Sequence, residues 1–157
     1  MFKKFIFMAI MFFTMISCEK TYDPGATSAV KVANQWWVYL YADGVEQYSG
    51  GIRTYNLSAN NDSIYIDDYV NGKATIWDFK CKAKFDATNL TFQTTTAVNE
   101  NYNITVTITD GKIMPKAAKS VTGVVTDSIY FKVQFSDDPG TYEIKGTGRT
   151  MWTEDDL

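Results

Sequence analysis

The sequence predicts an all-β domain whose eight antiparallel strands close into a barrel. Three observations carry this. Apolar residues recur with a period of two along most of the chain, the mark of strands with one buried and one wet face. Turn-forming dipeptides, Asp43-Gly44, Asn71-Gly72, Asp110-Gly111 and Pro139-Gly140, punctuate these runs at hairpin positions. No helical period is long enough to bridge parallel strands, so the pairing is antiparallel.

The expected strands, in order, are 35–41, 52–58, 63–68, 74–86, 89–95, 102–109, 127–136 and 141–149. In the third, Ile64 and Ile66 alternate with Ser63, Tyr65 and Asp67. In the fourth, Trp77, Phe79, Cys81, Ala83 and Phe85 alternate with charged residues, which places Cys81 on a buried face as a small hydrophobe. Leu90 and Phe92 set the fifth, Ile104, Val106 and Ile108 the sixth, and Ile129, Phe131, Val133 and Phe135 the seventh. Eight short strands also suit a two-sheet sandwich. Short connections and the lack of a long crossover favour the barrel, which leaves no exposed edge and has room for packed side chains or one small ligand. Residues 112–126, around Met114-Pro115, are expected as a longer connection, a lid or a short helix.

The amino-terminal segment is an address. Lys3 and Lys4 precede an apolar run from Phe5 to Ile16, broken by Thr14, and Met15-Ile16-Ser17-Cys18 then reads as a lipobox. Twelve residues are too few to span a bilayer, which takes about 20. The expected organisation is a lipoprotein signal peptide at 1–17, an acylated Cys18 with a tether to residue 28, and the barrel at 29–157. Acyl chains at about 0.8 kcal/mol per buried methylene hold such a chain on its membrane. The expected location is the cell envelope, at the outer membrane, on the periplasmic face or the cell surface. The tether of about 10 residues reaches at most about 36 Å when fully extended, so the barrel works close to the bilayer.

Charge and composition exclude several chemistries. Without Lys3 and Lys4, 13 basic side chains face 18 acidic ones, a formal charge of −5 that disfavours nucleic acid as a partner. The chain has no histidine, so Ser-His-Asp and Cys-His catalysis and imidazole zinc sites are impossible. With Cys18 consumed by lipid, Cys81 has no disulfide partner. The acidic doublets Asp67-Asp68 and Asp137-Asp138, and Glu154-Asp155-Asp156, are read as a strand's exposed end, a turn and a solvated terminus. No cofactor and no metal is expected.

Gln35-Trp36-Trp37-Val38 opening the first strand, the run from Tyr142 to Thr150 closing the last, the lipobox and the short tether together resemble a family of small Bacteroidetes lipoproteins described as lipid-binding putative hydrolases. The resemblance implies a calycin-like, lipocalin-type barrel. It also implies a structural pair, Trp36 or Trp37 beneath Arg149, in which a guanidinium over an indole face contributes about 0.5–2 kcal/mol. It supplies no catalytic residue set. The inward aromatic set and the strand-end tyrosines make Trp77, Phe79, Phe131, Phe135, Tyr55 and Tyr142 the candidate residues for an apolar ligand, a lipid or acyl chain. The expected role is non-catalytic lipid binding. The alternative is a surface module with a filled barrel that binds protein or glycan beside an outer-membrane complex. Asp62-Ser63-Ile64 and Asp127-Ser128-Ile129 resemble an O-glycosylation signal of exported proteins in the same bacteria, which marks Ser63 and Ser128.

Overall fold

The computed structural model describes residues 27–156 apart from residues 59, 71 and 72, so Cys18 and the lipobox lie outside the described residues, as does the Asn71-Gly72 turn. A 3-10 helix, Ser28–Lys31, leads into β1 (Asn34–Ala42), β2 (Val45–Leu57), β3 (Asn60–Asp67), β4 (Tyr69–Val70), β5 (Lys73–Ala74), β6 (Lys80–Asp86), β7 (Thr91–Val98), β8 (Thr105–Lys119), β9 (Val125–Phe135) and β10 (Tyr142–Gly148). A 3-10 turn, Thr153–Asp155, follows. Eight strands close in the order β1-β10-β9-β8-β7-β6-β3-β2, each antiparallel to its neighbours, and β4 and β5 form a separate hairpin. Closure excludes the sandwich.

The end at which β1 begins is called the lower end. β1, β3, β7 and β9 then run upward and the other four barrel strands downward, which puts the turn at Asp43-Gly44, the β3–β6 crossover, the β7–β8 loop and the β9–β10 turn at the upper end. Asp43 and Gly44 have φ of 50° and 79°, the pair of left-handed residues that a tight hairpin with right-twisted strands requires.

Alternation places Trp36, Val38 and Leu40 of β1 inside, level with Ile52 of β2 and Ile144 of β10, and Trp37, Tyr39 and Tyr41 outside. The interior is filled by branched aliphatic and phenyl side chains, each worth about 1.5–3 kcal/mol when fully buried. The lower end is closed by Ala29 and Val32 beneath Trp36, which is 1% exposed. The Trp36 indole N–H donates to Thr54 Oγ1 at 2.8 Å, and the Thr54 hydroxyl donates to the Val32 carbonyl, so the polar atoms under the core are paired. Cys81 lies in this core with Phe79, Ala83 and Phe85, and burial pushes its thiol up to about 12, leaving it protonated and inert.

Two sequence expectations fail here. Asp110-Gly111 is no hairpin, because β8 runs through it to Lys119 and residues 112–126 are therefore strand and a short turn rather than a lid or helix. The dipeptide instead makes a bulge. Ile108 and Ile113 both face inward and pair with Val133 and Ile129, so six residues of β8 (108–113) oppose five of β9 (129–133). Asp110 takes φ of 56°, and a Cβ on Gly111 would stand 2.1 Å from the Phe92 carbonyl oxygen, a contact only glycine avoids. Pro115 is tolerated because it sits in a second irregularity, where Lys116 has φ of 55° and its N–H donates to Asp127 Oδ1 at 2.8 Å. The expected strand 74–86 is the second failure: residues 75–79 leave the sheet between β5 and β6.

Candidate functional site

The break between β5 and β6 builds the upper mouth. Asp68, 0% exposed, turns its carboxylate back on the following chain and accepts four main-chain N–H groups. Ile76, Trp77 and Asp78 donate to Oδ2 at 3.1, 2.7 and 2.8 Å, and Phe79 donates to Oδ1 at 3.1 Å. Burial pushes this carboxyl up, and the four donors pull against it. Asp78 takes a left-handed φ of 53°, which lets the segment wrap the carboxylate before re-entering the sheet at Lys80. Buried Asn99 completes the anchor: its side-chain oxygen accepts the Lys80 N–H at 2.8 Å and its amide donates to the Asp78 carbonyl. The segment passes close to β2 at Gly50, where a Cβ would meet the Thr75 side chain at 2.8 Å.

So held, the segment lays Trp77 across the mouth. The indole stacks on Phe135 with centroids 4.6 Å apart and planes 5° from parallel, and it tilts against Tyr142 at 5.3 Å. Phe79 meets Phe135 edge-on at 5.5 Å. Trp77 and Tyr142 are half-buried, whereas Phe79 and Phe135 belong to the closed core. The rim is polar: Tyr142 donates to Asp138 Oδ1 at 3.0 Å and Tyr102 to the Trp77 carbonyl at 3.3 Å, and burial pushes both phenols up. The arrangement offers an aromatic platform with a hydrogen-bonding edge, suited to an apolar chain with a small polar head.

Of the residues singled out from sequence, Trp77, Phe79, Phe135 and Tyr142 come together here. Phe131 is deeper, fully buried and edge-on to Phe92 at 5.6 Å. Tyr55 is elsewhere, on the outer wall against Tyr65 at 5.3 Å, its hydroxyl donating to Asp67 Oδ2 at 2.9 Å. Arg149 stands 5.2 Å over the Trp37 ring, while Trp36 is inside. The guanidinium is also bound by both oxygens of Asp156, at 2.7 and 2.5 Å, and by Gln35 Oε1 at 2.8 Å. Trp37 donates its indole N–H to the same Asp156 at 3.1 Å. Ser63 and Ser128 are half-buried, with Ser128 donating to the Gly146 carbonyl at 3.0 Å.

The acidic groups correct the sequence reading. Asp67 and Asp68 are buried, not an exposed strand end, because one binds Arg53, Tyr55 and the Tyr69 N–H and the other anchors the crossover. Asp155 is likewise buried rather than solvated, accepting from Thr122 N at 2.7 Å and Thr150 Oγ1 at 2.6 Å. Sequence reasoning placed Asp68 at a strand's exposed end and singled out neither Asn99 nor Tyr102. The one trace of Asp68 is an acidic doublet at the end of a strand just before a turn signal, since a carboxylate that satisfies main-chain donors leaves no periodicity. Among the described residues, no group of three or more Asp, Glu or Cys side chains is placed to hold a metal ion.

A surface cleft of about 700 Å³ runs along the outer wall at Lys84, Asp86, Gln93 and Lys112, and a smaller one of about 220 Å³ lies under the β8–β9 turn beside Trp37 and Asp155.

Fold and mouth together define a closed eight-stranded antiparallel barrel of the calycin-like kind, packed inside and plugged by an aromatic stack at one end. The chain belongs to the family described as "Lipid-binding putative hydrolase", whose profile matches residues 21–153. Among solved structures, it is similar to a protein of unknown function from Bacteroides ovatus, with a TM-score of 0.44 and 12% identity, over 75% of this chain and 41% of that one. No curated protein matches the sequence.

Proposed function

We propose that this chain is an envelope lipoprotein, acylated at Cys18 and held at the outer membrane, whose barrel takes the apolar chain of a lipid at its upper mouth without catalysis. Membership of a family described by lipid binding supports the ligand class. The basic start, the apolar run and Met15-Ile16-Ser17-Cys18 support the anchor. The observation that carries the reading is the half-exposed stack of Trp77 on Phe135 and Tyr142 at the end of a core otherwise closed to water. An acyl chain laid against this stack gains about 0.8 kcal/mol per methylene buried. The chain has no histidine and its core cysteine is inert, which supports a binding role over a hydrolytic one.

Native mass spectrometry of the anchor-free barrel, residues 24–157, tests this. After incubation with lysophospholipids or fatty acids the expected result is a discrete mass excess, lost on denaturation. It should be accompanied by a shift in tryptophan emission that a Trp77→Phe variant lacks. A bare mass with every probe overturns lipid binding.

The packed interior favours a second reading, in which the barrel is a scaffold and its outer wall binds a protein or glycan beside an outer-membrane complex. In that case the mass stays bare and the wall, including the cleft at Lys84 and Lys112, becomes the surface to mutate.

A further inference from the structure

The lower end of the barrel carries exposed apolar side chains on three separate segments. Val30 stands on the Ser28–Lys31 helix, Val121 and Val124 on the β8–β9 turn, and Met151 and Trp152 beyond β10. Val121 is 79% exposed and Trp152 64%. Among the described residues at the upper end, by contrast, three of the five exposed large apolar side chains are tyrosines with polar tips, Tyr48, Tyr69 and Tyr102.

These lower segments are built, not loose. The β8–β9 turn is closed by Ser120 N donating to the Val124 carbonyl and Gly123 N donating to the Ser120 carbonyl, both at 2.9 Å. Buried Asp155 then joins that turn to the segment after β10, taking the Thr122 N–H and hydroxyl on one side and the Thr150 hydroxyl on the other. A buried carboxylate thus ties together the two loops whose apolar side chains are left facing out. Nothing in core packing requires Val121 or Trp152, since both point away from it.

We infer that this end is a bilayer-docking surface, with Trp152, Met151, Val121 and Val124 seated at the headgroup–acyl boundary of the membrane that holds the anchor. The inference rests on the Cys18 anchor proposed above for the position of that membrane. From Cys18 to Thr27 the chain reaches at most about 32 Å, and it enters the barrel at this end, beside Val30. A short tether therefore brings these side chains, rather than the mouth, to the lipid. Their chemistry fits: tryptophan favours the membrane–water boundary, and valine and methionine favour the acyl region beneath it. Lys31 and Lys119 are exposed at the same end, as are Asp86 and Glu154. That charge is near balance, so apolar contact carries the docking and added salt should weaken it little.

The test uses the full acylated chain in phosphatidylethanolamine/phosphatidylglycerol vesicles, with a single thiol placed by Val121→Cys, Trp152→Cys or, at the opposite end, Val45→Cys. Cys18 is then a thioether and Cys81 is buried, so a polarity-sensitive label attaches at the new site. Docking predicts blue-shifted emission and several-fold stronger quenching by lipid-borne quenchers at positions 121 and 152 than at 45. Water-like emission at all three overturns it. Intact mass reads acylation separately. The same comparison on the unacylated chain without its signal, residues 18–157 with Cys18→Ser, and concentrated vesicles reads docking without the anchor, so failure of one reading is distinguishable from failure of the other.

Discussion

Asp68 shows how one side chain can set the shape of a mouth. Its carboxylate gathers four N–H groups that would otherwise be unpaired where the chain leaves the sheet. Burying the charge is costly, and a neutral amide would relieve that cost. An amide, however, offers one acceptor where two are used, and its NH2 would confront the Phe79 N–H. The lost acceptor outweighs the relieved charge, because hydrogen bonds to ionised groups are worth about 1.5–3 kcal/mol each and an orphaned buried donor adds its own penalty. Asp68→Asn should therefore destabilise the barrel by about 3 kcal/mol, a melting-temperature drop on the order of 10 °C, and Trp77 emission should shift to the red as the segment loosens. Thermal melts followed by fluorescence check both, and an unchanged melt would remove Asp68 from this role. None of this was visible beforehand: the alternation of Trp77, Phe79 and Cys81 reads as uninterrupted strand, and it takes the third dimension to place a carboxylate against residues 76–79.

At the scale of elements, what was legible is what periodicity encodes. The alternation in β3, β6, β8 and β9 placed their inner faces, and Asp43-Gly44 and Pro139-Gly140 fell between paired strands. Asp110-Gly111 misled because a left-handed residue followed by glycine serves a bulge as well as a hairpin, and only the partner strand decides which. The carboxyl-terminal segment was missed for a related reason, since its acids look solvated until Arg149, Trp37, Thr122 and Thr150 are seen around them. The Arg149 guanidinium holds the Asp156 carboxyl below the usual carboxylate range. Burial pushes Asp155 up, but its donors from Thr150 and Thr122 win and it too ends low. Groups whose folded values are depressed add stability above the unfolded value, near 3.9, and lose it as pH falls through the folded value. The melting-temperature advantage of the native chain over an Asp155→Asn/Asp156→Asn variant should be constant between pH 5 and 8 and shrink below about pH 4. A gap independent of pH down to 2.5 would show that the two carboxylates do not clip the terminus through their charge.

For the whole molecule, the two tryptophans that close the barrel divide its ends into one that is sealed and one that can yield. Trp36 is buried against the Ser28–Lys31 helix with its N–H paired, whereas Trp77 is half-exposed, held through its backbone and stacked on rings that would stay packed without it. On the docked geometry inferred above, the sealed end meets the bilayer and the yielding end points away from it. A lipid taken at the mouth would then arrive from the aqueous side rather than from the supporting leaflet. This asymmetry has a stability signature that does not depend on any ligand. Trp36→Phe removes a buried hydrogen bond and opens a void under the core, at a cost of about 2–4 kcal/mol. Trp77→Phe exchanges one partly wet ring for another and should cost under about 1 kcal/mol. Denaturant unfolding of the two variants should give midpoints far below and close to that of the native chain, with similar slopes. Equal losses would mean that Trp77 is as much a part of the core as Trp36, and the mouth would then be a wall.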